Sequence, residues 1–314
     1  MIHGNDREHS LQAAIDGPVQ ISVLIPTRER PEQLDACLQS VLASNHSSFE
    51  VIVIDQSPQP YMGIRDPRLR IHHSRVRGKS AALNAAIEHA SGRLFAFTDD
   101  DCTVCPDWLT RGHELLEARP EVYLVYGALL AIPHDPSQWF VPTFSPERLE
   151  EVSGTARARL RGGAGANMFA RRGLFERIGG FDDAIGPGAP FRSCEEYDIY
   201  YRALRAGVKV VRDPDNGVLH WGKRSYGDGS GLRLMRDYSY GEGAVLAKHI
   251  RSGDLMALWI SLNILGEQAR AIRSSLRQGS RIGIDRAASW LTGFGRGLTT
   301  PVDVSRRLFA SKPV

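Results

Sequence analysis

From Val19 onward, short apolar runs alternate with helical patterns, and this alternation constrains the chain more than any other feature. VQISVLIP (19–26) reads as a buried strand ending at Pro26. PEQLDACLQSVLAS from Pro31 reads as a helix with proline in its first turn. FEVIVID (49–55) and RIHHS are the next strands, KSAALNAAIEHASG from Lys79 is a helix, RLFAFTD a fourth strand, and PDWLTRGHELLEA a helix begun by Pro106. Strands separated by helices of this length imply crossover connections, hence an α/β domain on a mainly parallel, Rossmann-like sheet flanked by helices. At 314 residues, with 42% hydrophobic and 24% charged side chains, the chain has the make-up of a soluble globular protein of one large domain and an appendage.

Ligands on such sheets bind at the carboxyl ends of the strands. The first strand ends at Pro26-Thr27-Arg28, the second at Asp55, and the fourth at Asp99-Asp100-Asp101, so these polar groups are expected along one edge. On an extended backbone Asp99 and Asp101 share a face while Asp100 points away, which makes Asp100 the acid expected to tolerate Asn best. Two carboxylates so close call for a cation, and Mg²⁺ or Mn²⁺ suits them; the alternative is a polar strand end with solvated acids. Asp55 can accept hydrogen bonds from a ribose or base, or simply open a turn before Pro58. Arg77-Gly78-Lys79-Ser80 offers cations and free N–H groups to a diphosphate at a helix start. It is no P-loop, because the glycine needed five residues before Gly78 is His73, and no G-x-G-x-x-G follows the first strand.

Beyond Glu121, EVYLVYGALLAI reads as a strand, GGAGANMFARR as a glycine-rich loop, and SCEEYDIYYRALRAG as a helix from Ser193 with Ile199, Ala203 and Leu204 inward and Gly207 as its cap. VKVVRDPDNGVLHWG suggests two short strands. The remainder is helical, and Leu258, Leu262, Leu265, Ala269, Ile272 and Leu276 form an apolar stripe.

SVLIPTRERPEQLDACLQSVL, FEVIVIDQS, RGKSAALNAAIEHASGRLFAFTDDD, GANMFARRGLFERIGGFDD and CEEYDIYYRALRAGVKVV, in that order, resemble a family-2 glycosyltransferase of GT-A fold. The resemblance covers residues 19–225. It implies a nucleoside-diphosphate sugar donor across the strand ends, over Pro26, Thr27, Arg28, Asp55, Arg77, Lys79, Asp99 and Asp100, with UDP the expected nucleotide and GDP or dTDP the alternatives. It places Asp101 as the direct metal ligand, with Asp99 addressing the ribose or a metal-bound water, and His220 as a further ligand. The family's Glu-Asp-x-Asp element reads Glu195-Glu196-Tyr197-Asp198 here, which makes Glu196 the expected catalytic base and Asp198 the substitute. Gly165, Asn167, Glu195 and Trp221 fall on the acceptor side. The implied organisation is a polar extension (1–18), a catalytic domain (19–227, divided into a nucleotide-sugar half, 19–120, and an acceptor half, 121–227) and a basic helical region (228–314).

Four scattered cysteines give no disulfide framework, the N-terminus lacks a signal-peptide pattern, and the longest apolar run near the C-terminus, Leu255–Leu265, has 11 residues, all of which suits a cytoplasmic setting. Residues 245–314 carry 11 Lys/Arg against 4 Asp/Glu. Their helices either lie on an anionic membrane, at the inner face of the cell membrane, or pack on the catalytic domain or on a second subunit in a homodimer. Nothing points to nucleic acid; the expected acceptor is a glycan, polysaccharide or lipid-linked sugar. The rival readings are a haloacid-dehalogenase-like phosphohydrolase, since Asp99, Asp101 and Thr103 satisfy DxDx[TV], a sugar nucleotidyltransferase, and a non-catalytic sugar-nucleotide binding module.

Overall fold

The computed structural model describes residues 19–156 and 162–310; the polar extension, 1–18, lies outside them. In chain order the elements are β1 (Ile21–Thr27), α1 (Pro31–Leu42), β2 (Phe49–Asp55), β3 (Leu69–His73), α2 (Lys79–His89), β4 (Leu94–Phe97), β5 (Cys102–Val104), α3 (Trp108–Glu117), β6 (Val122–Ala131), β7 (Trp139–Phe140) and β8 (Glu150–Val152). Then come β9 (Met168–Arg171), α4 (Arg172–Ile178), α5 (Glu195–Arg205), β10 (Lys209–His220), β11 (Arg224–Ser225), α6 (Ser230–Arg251), α7 (Leu255–Arg277), α8 (Ile282–Thr299), β12 (Val302–Asp303) and β13 (Leu308–Phe309).

The main sheet runs β3-β2-β1-β4-β9-β6-β10-β5, with β8 also on β10. β3, β2, β1 and β4 are mutually parallel, β9 is antiparallel to both neighbours, and β10 runs parallel to β6. Period two divides each central strand between two cores: Leu24, Ile52 and Ile54 face α2 and α5, whereas Ile21, Val23, Ile25, Val51 and Val53 face α1 and α3. The architecture is the GT-A one expected. Ile199, Ala203 and Leu204 of α5 are buried, and Gly207 caps it with φ 73°.

Two expectations are corrected. VKVVRDPDNGVLH is one strand, β10, whose register against β6 shifts between Asp213 and Gly217; the intervening Pro and Asp residues form a bulge rather than a break. A second correction concerns the three aspartates: β4 stops at Phe97, and Asp99–Asp101 ride the turn into β5, so strand alternation does not govern them. The apolar stripe of α7 faces outward: Leu258, Leu262, Leu265 and Leu276 are exposed, while the inward face carries Ala257, Ile260, Ser261 and Ile264.

The C-terminal helices share the core of the sheet. Tyr240, Ala244, Val245 and Leu246 of α6, Ile260 of α7 and Trp290 of α8 are buried with Leu24, Phe97 and Ile199. No helix among the described residues is long and apolar enough to cross a membrane.

Candidate active site

A cleft of about 810 Å³ opens along the carboxyl edge of the sheet. Pro26, Thr27 and Arg28 enter it from the end of β1, Arg77 and Lys79 from the start of α2, the three aspartates from the β4–β5 turn, Gly165 from the loop before β9, Glu195 and Glu196 from the start of α5, and His220 from the end of β10. Backbone strain collects there: Glu29, Arg192 and Cys194, none of them glycine, have φ of 56°, 59° and 75°. Such outliers persist only where the surrounding structure holds them, and they cluster at functional sites.

Where the β4–β5 turn meets the end of β10, Asp101 is buried and its Oδ1 lies 3.4 Å from His220 Nε2. His220 Nδ1 meets the Pro142 carbonyl at 3.0 Å, which turns Nε2 toward Asp101. A carboxylate oxygen, an imidazole nitrogen and the Cys102 sulfur lie within 4.8 Å of one another. Burial pushes the Cys102 thiol up, so it stays protonated, and Asp101 and His220 form the donor pair. A Cβ on Gly222 would lie 2.5 Å from His220 Nε2 and 2.7 Å from Asp101 Oδ2, so glycine keeps this space open. Carboxylate plus imidazole around a kept space fits a divalent cation. Burial works against the Asp101 charge, but His220, Arg30 and Arg224 outweigh it and hold the carboxyl down at about 2. Burial likewise opposes the imidazolium of His220, and Asp101 outweighs it, raising His220 above the usual histidine value.

Asp100 is buried inside the site. It accepts from Thr27 Oγ1 at 2.8 Å and from Arg30 Nη1 at 3.0 Å, so the expectation that it points away is overturned by the turn geometry. Asp99 stands apart from the Asp101–His220 pair, because Lys79 Nζ binds its Oδ1 at 2.6 Å and Glu195 Oε1 at 3.2 Å. Lys79 therefore ties the donor turn to the acid helix. Glu196 is half-buried on the cleft wall, and its backbone carbonyl accepts from Tyr126 Oη at 3.0 Å. Burial, reinforced by the Glu195 carboxylate, raises Glu196 to about 8. Gly165 lies beside it, where a Cβ would come to 3.4 Å from Glu196 Cβ, an ordinary packing distance.

Four further expected residues stand elsewhere. Asp198 is fully buried and holds Arg202 at 2.8 Å and Lys248 at 2.6 Å, which occupies the proposed substitute base with charge pairing away from the cleft. Asn167 is also fully buried; its Nδ2 donates to the Ala128 and Asn216 carbonyls at the β10 bulge and its Oδ1 accepts from Trp108, so it pins the sheet instead of facing an acceptor. Asp55 accepts from the backbone N–H groups of Ser57 and Tyr61, the turn role, and Gln56 lines the cleft beside it. Trp221 is 52% exposed, with its Nε1 donating to Thr103 outside the cleft lining.

Sequence reasoning missed Arg30, which bridges Asp100 and Asp101, and Arg224, 3.8 Å from Asp101. It also missed Arg192 before α5 and Leu234, Asp237 and Tyr238 of α6, which close the cleft from the C-terminal region. For Arg30 a signal existed in PTRER, where a second arginine follows the strand end two residues after Arg28. The α6 residues carried none, since they reach the cleft only through tertiary packing.

A family model for glycosyl transferase family 2 matches residues 22–179, half of the chain. Glycosyltransferase AglE of Haloferax volcanii is 24% identical over 284 residues, covering 82% of this chain and 85% of that protein. The glucosyl-dolichyl phosphate glucuronosyltransferase of the same organism is 27% identical over 222 residues, 64% of this chain and 69% of that one. Among solved structures, the mannosyltransferase PcManGT of Pyrobaculum calidifontis, in complex with GDP-Man and Mn²⁺, superposes with a TM-score of 0.57 at 17% identity over 94% of each chain. With the model spanning the donor-side elements that build the cleft, the chain belongs to glycosyl transferase family 2 and is a glycosyltransferase.

Proposed function

We propose that the chain transfers a sugar from a nucleoside-diphosphate sugar to a hydroxyl of a glycan, polysaccharide or glycolipid acceptor, by single displacement with inversion at the anomeric carbon. The observation that carries the reading is Glu196, a half-buried carboxyl on the cleft wall whose proton affinity is raised to about 8. A base tuned near neutrality is what abstraction of a hydroxyl proton needs. The acceptor O–H passes its proton to Glu196 as its oxygen bonds the anomeric carbon. The bond from that carbon to the diphosphate oxygen breaks in the same step, and its electron pair leaves with the nucleoside diphosphate. Glu195, tied to Lys79, holds the start of α5 against the donor turn while this happens.

Arg28 and Arg77 line the donor side, and Arg28 Nε is buried without a partner, a donor left for a phosphate oxygen. Asp101 and His220 would hold Mn²⁺ or Mg²⁺, and the ion, when bound, supplies positive charge that offsets the charge of the leaving diphosphate. Support for a nucleotide-sugar donor with a metal comes from the PcManGT complex with GDP-Man and Mn²⁺, and support for a lipid-linked acceptor from the name of the dolichyl phosphate relative. Asp99, through Lys79, keeps the β4–β5 turn in register with α5.

Substituting Glu196→Gln tests the assignment. Turnover of the sugar donor, by transfer or hydrolysis, should fall by roughly 10²–10⁴ while donor affinity is retained. In the wild type, a base titrating near 8 makes turnover rise with pH through that value and level off above it. Turnover within about threefold of wild type, with the same pH profile, would remove Glu196 from the mechanism.

A further inference from the structure

Helix α7 presents an outward face that nothing in the structure covers. Leu255, Leu258, Trp259, Leu262 and Leu265 are between 39% and 81% exposed and recur every three or four residues, so they form one continuous apolar strip. Scattered exposed leucines are ordinary, but a contiguous strip of this kind marks an interaction surface. The strip is followed on the same outward side by Arg270, Arg273 and Arg277, and by Arg281 after the helix, all exposed. Between Leu255 and Arg281 the single acid is Glu267.

We infer that this face docks on an anionic lipid surface, with α7 lying in the plane of the interface. Two observations select this occupant. The helix is too polar to cross a bilayer, but apolar side chains and arginines that share one exposed side suit a helix resting at the headgroup boundary, where Trp259 can place its ring. The charge pattern also disfavours a second copy of the chain. A two-fold contact through α7 would set the arginines of one copy either against those of the other or against its leucines, with only Glu267 per chain as counter-charge. Anionic headgroups satisfy the arginines and the acyl boundary takes the leucines.

The test is flotation of the full chain with vesicles of phosphatidylcholine alone and of phosphatidylcholine mixed with phosphatidylglycerol, with sedimentation equilibrium of the same protein in the absence of lipid. The inference expects binding to the mixed vesicles, weak binding to the neutral ones, and loss of binding at high salt. Arg270→Gln with Arg273→Gln should cut partitioning roughly fivefold for each arginine removed. Leu262→Glu should abolish it, with circular dichroism and donor binding unchanged because the side chain touches neither core nor cleft. Absence of binding to the mixed vesicles overturns the inference, as does binding that these substitutions leave intact. A lipid-free dimer that Leu262→Glu dissociates, without vesicle binding, assigns the face to a second copy and overturns it equally.

Discussion

At Gly222 a hydrogen stands where any other residue would put a carbon between His220 Nε2 and Asp101 Oδ2. Gly222→Ala should therefore lower Mn²⁺ affinity on the order of tenfold or more, in keeping with changes to the shell around a metal, with little loss of fold; titration calorimetry of the variant reads this, and unchanged affinity would remove the cation from that spot. Three acids that look alike in sequence have three settings: Asp99 on Lys79, Asp100 between Thr27 and Arg30, and Asp101 facing His220. The metal role of Asp101 is an expectation from the family resemblance, proposed here on its contact with His220. The place of Asp100 was not legible, because the strand ends two residues before Asp99 and a turn, not a period of two, aims the side chains. Asp55 and Asn167 show the same limit from the other side. A polar residue at a strand end reads as a ligand contact, but buried backbone groups claimed both first.

Between elements, α5 and α6 are joined by a buried charge cluster. Lys248 Nζ lies 2.8 Å from Asp182 and 2.6 Å from Asp198, Arg202 and His249 share Asp198, and the Phe309 N–H donates to Asp182. Glu196 sits two residues from Asp198, so this cluster sets the depth at which the acid helix meets the cleft. Lys248→Met leaves two buried carboxylates without their shared cation and should cost about 3–5 kcal/mol in urea unfolding; a loss below about 1 kcal/mol would mean that the cluster is not held as described. The cluster also predicts acid sensitivity. Burial lowers His249 to about 4, against the pull of Asp198, so the folded protein keeps it neutral. A depressed folded value gives stability that is complete above the unfolded histidine value near 6.5 and lost as pH falls toward 4. Unfolding midpoints should drop over that window, and His249→Gln should flatten the drop; a midpoint independent of pH between 7 and 4.5 contradicts this. None of this was visible in sequence, where Lys248 and His249 are two polar residues in a long helix.

For the molecule as a whole, the strand and helix order was legible because each central strand is buried on both faces and the helices α1 and α3 open at Pro31 and just after Pro106. The role of the C-terminal third was less legible, because amphipathic periodicity says that a helix has an inner face but not what it packs against. Here α6 lines the cleft through Leu234, Asp237 and Tyr238 and buries Tyr240, Ala244, Val245 and Leu246 in the core, with α8 packed along it. A chain ending at Ser252 exposes that core and should fail to unfold cooperatively by calorimetry; a sharp, reversible transition would show that the helices beyond are dispensable. Donor and metal binding are read directly by calorimetric titration of the full chain with UDP-glucose, GDP-mannose and dTDP-glucose, with Mn²⁺ and with EDTA. At least one should bind saturably with Mn²⁺, and EDTA or Asp101→Asn should weaken that binding tenfold or more, since the proposed donor and cation meet at the Asp101 end of the cleft. Binding of none of the three, or binding that is the same with EDTA and in the variant, would contradict that proposal.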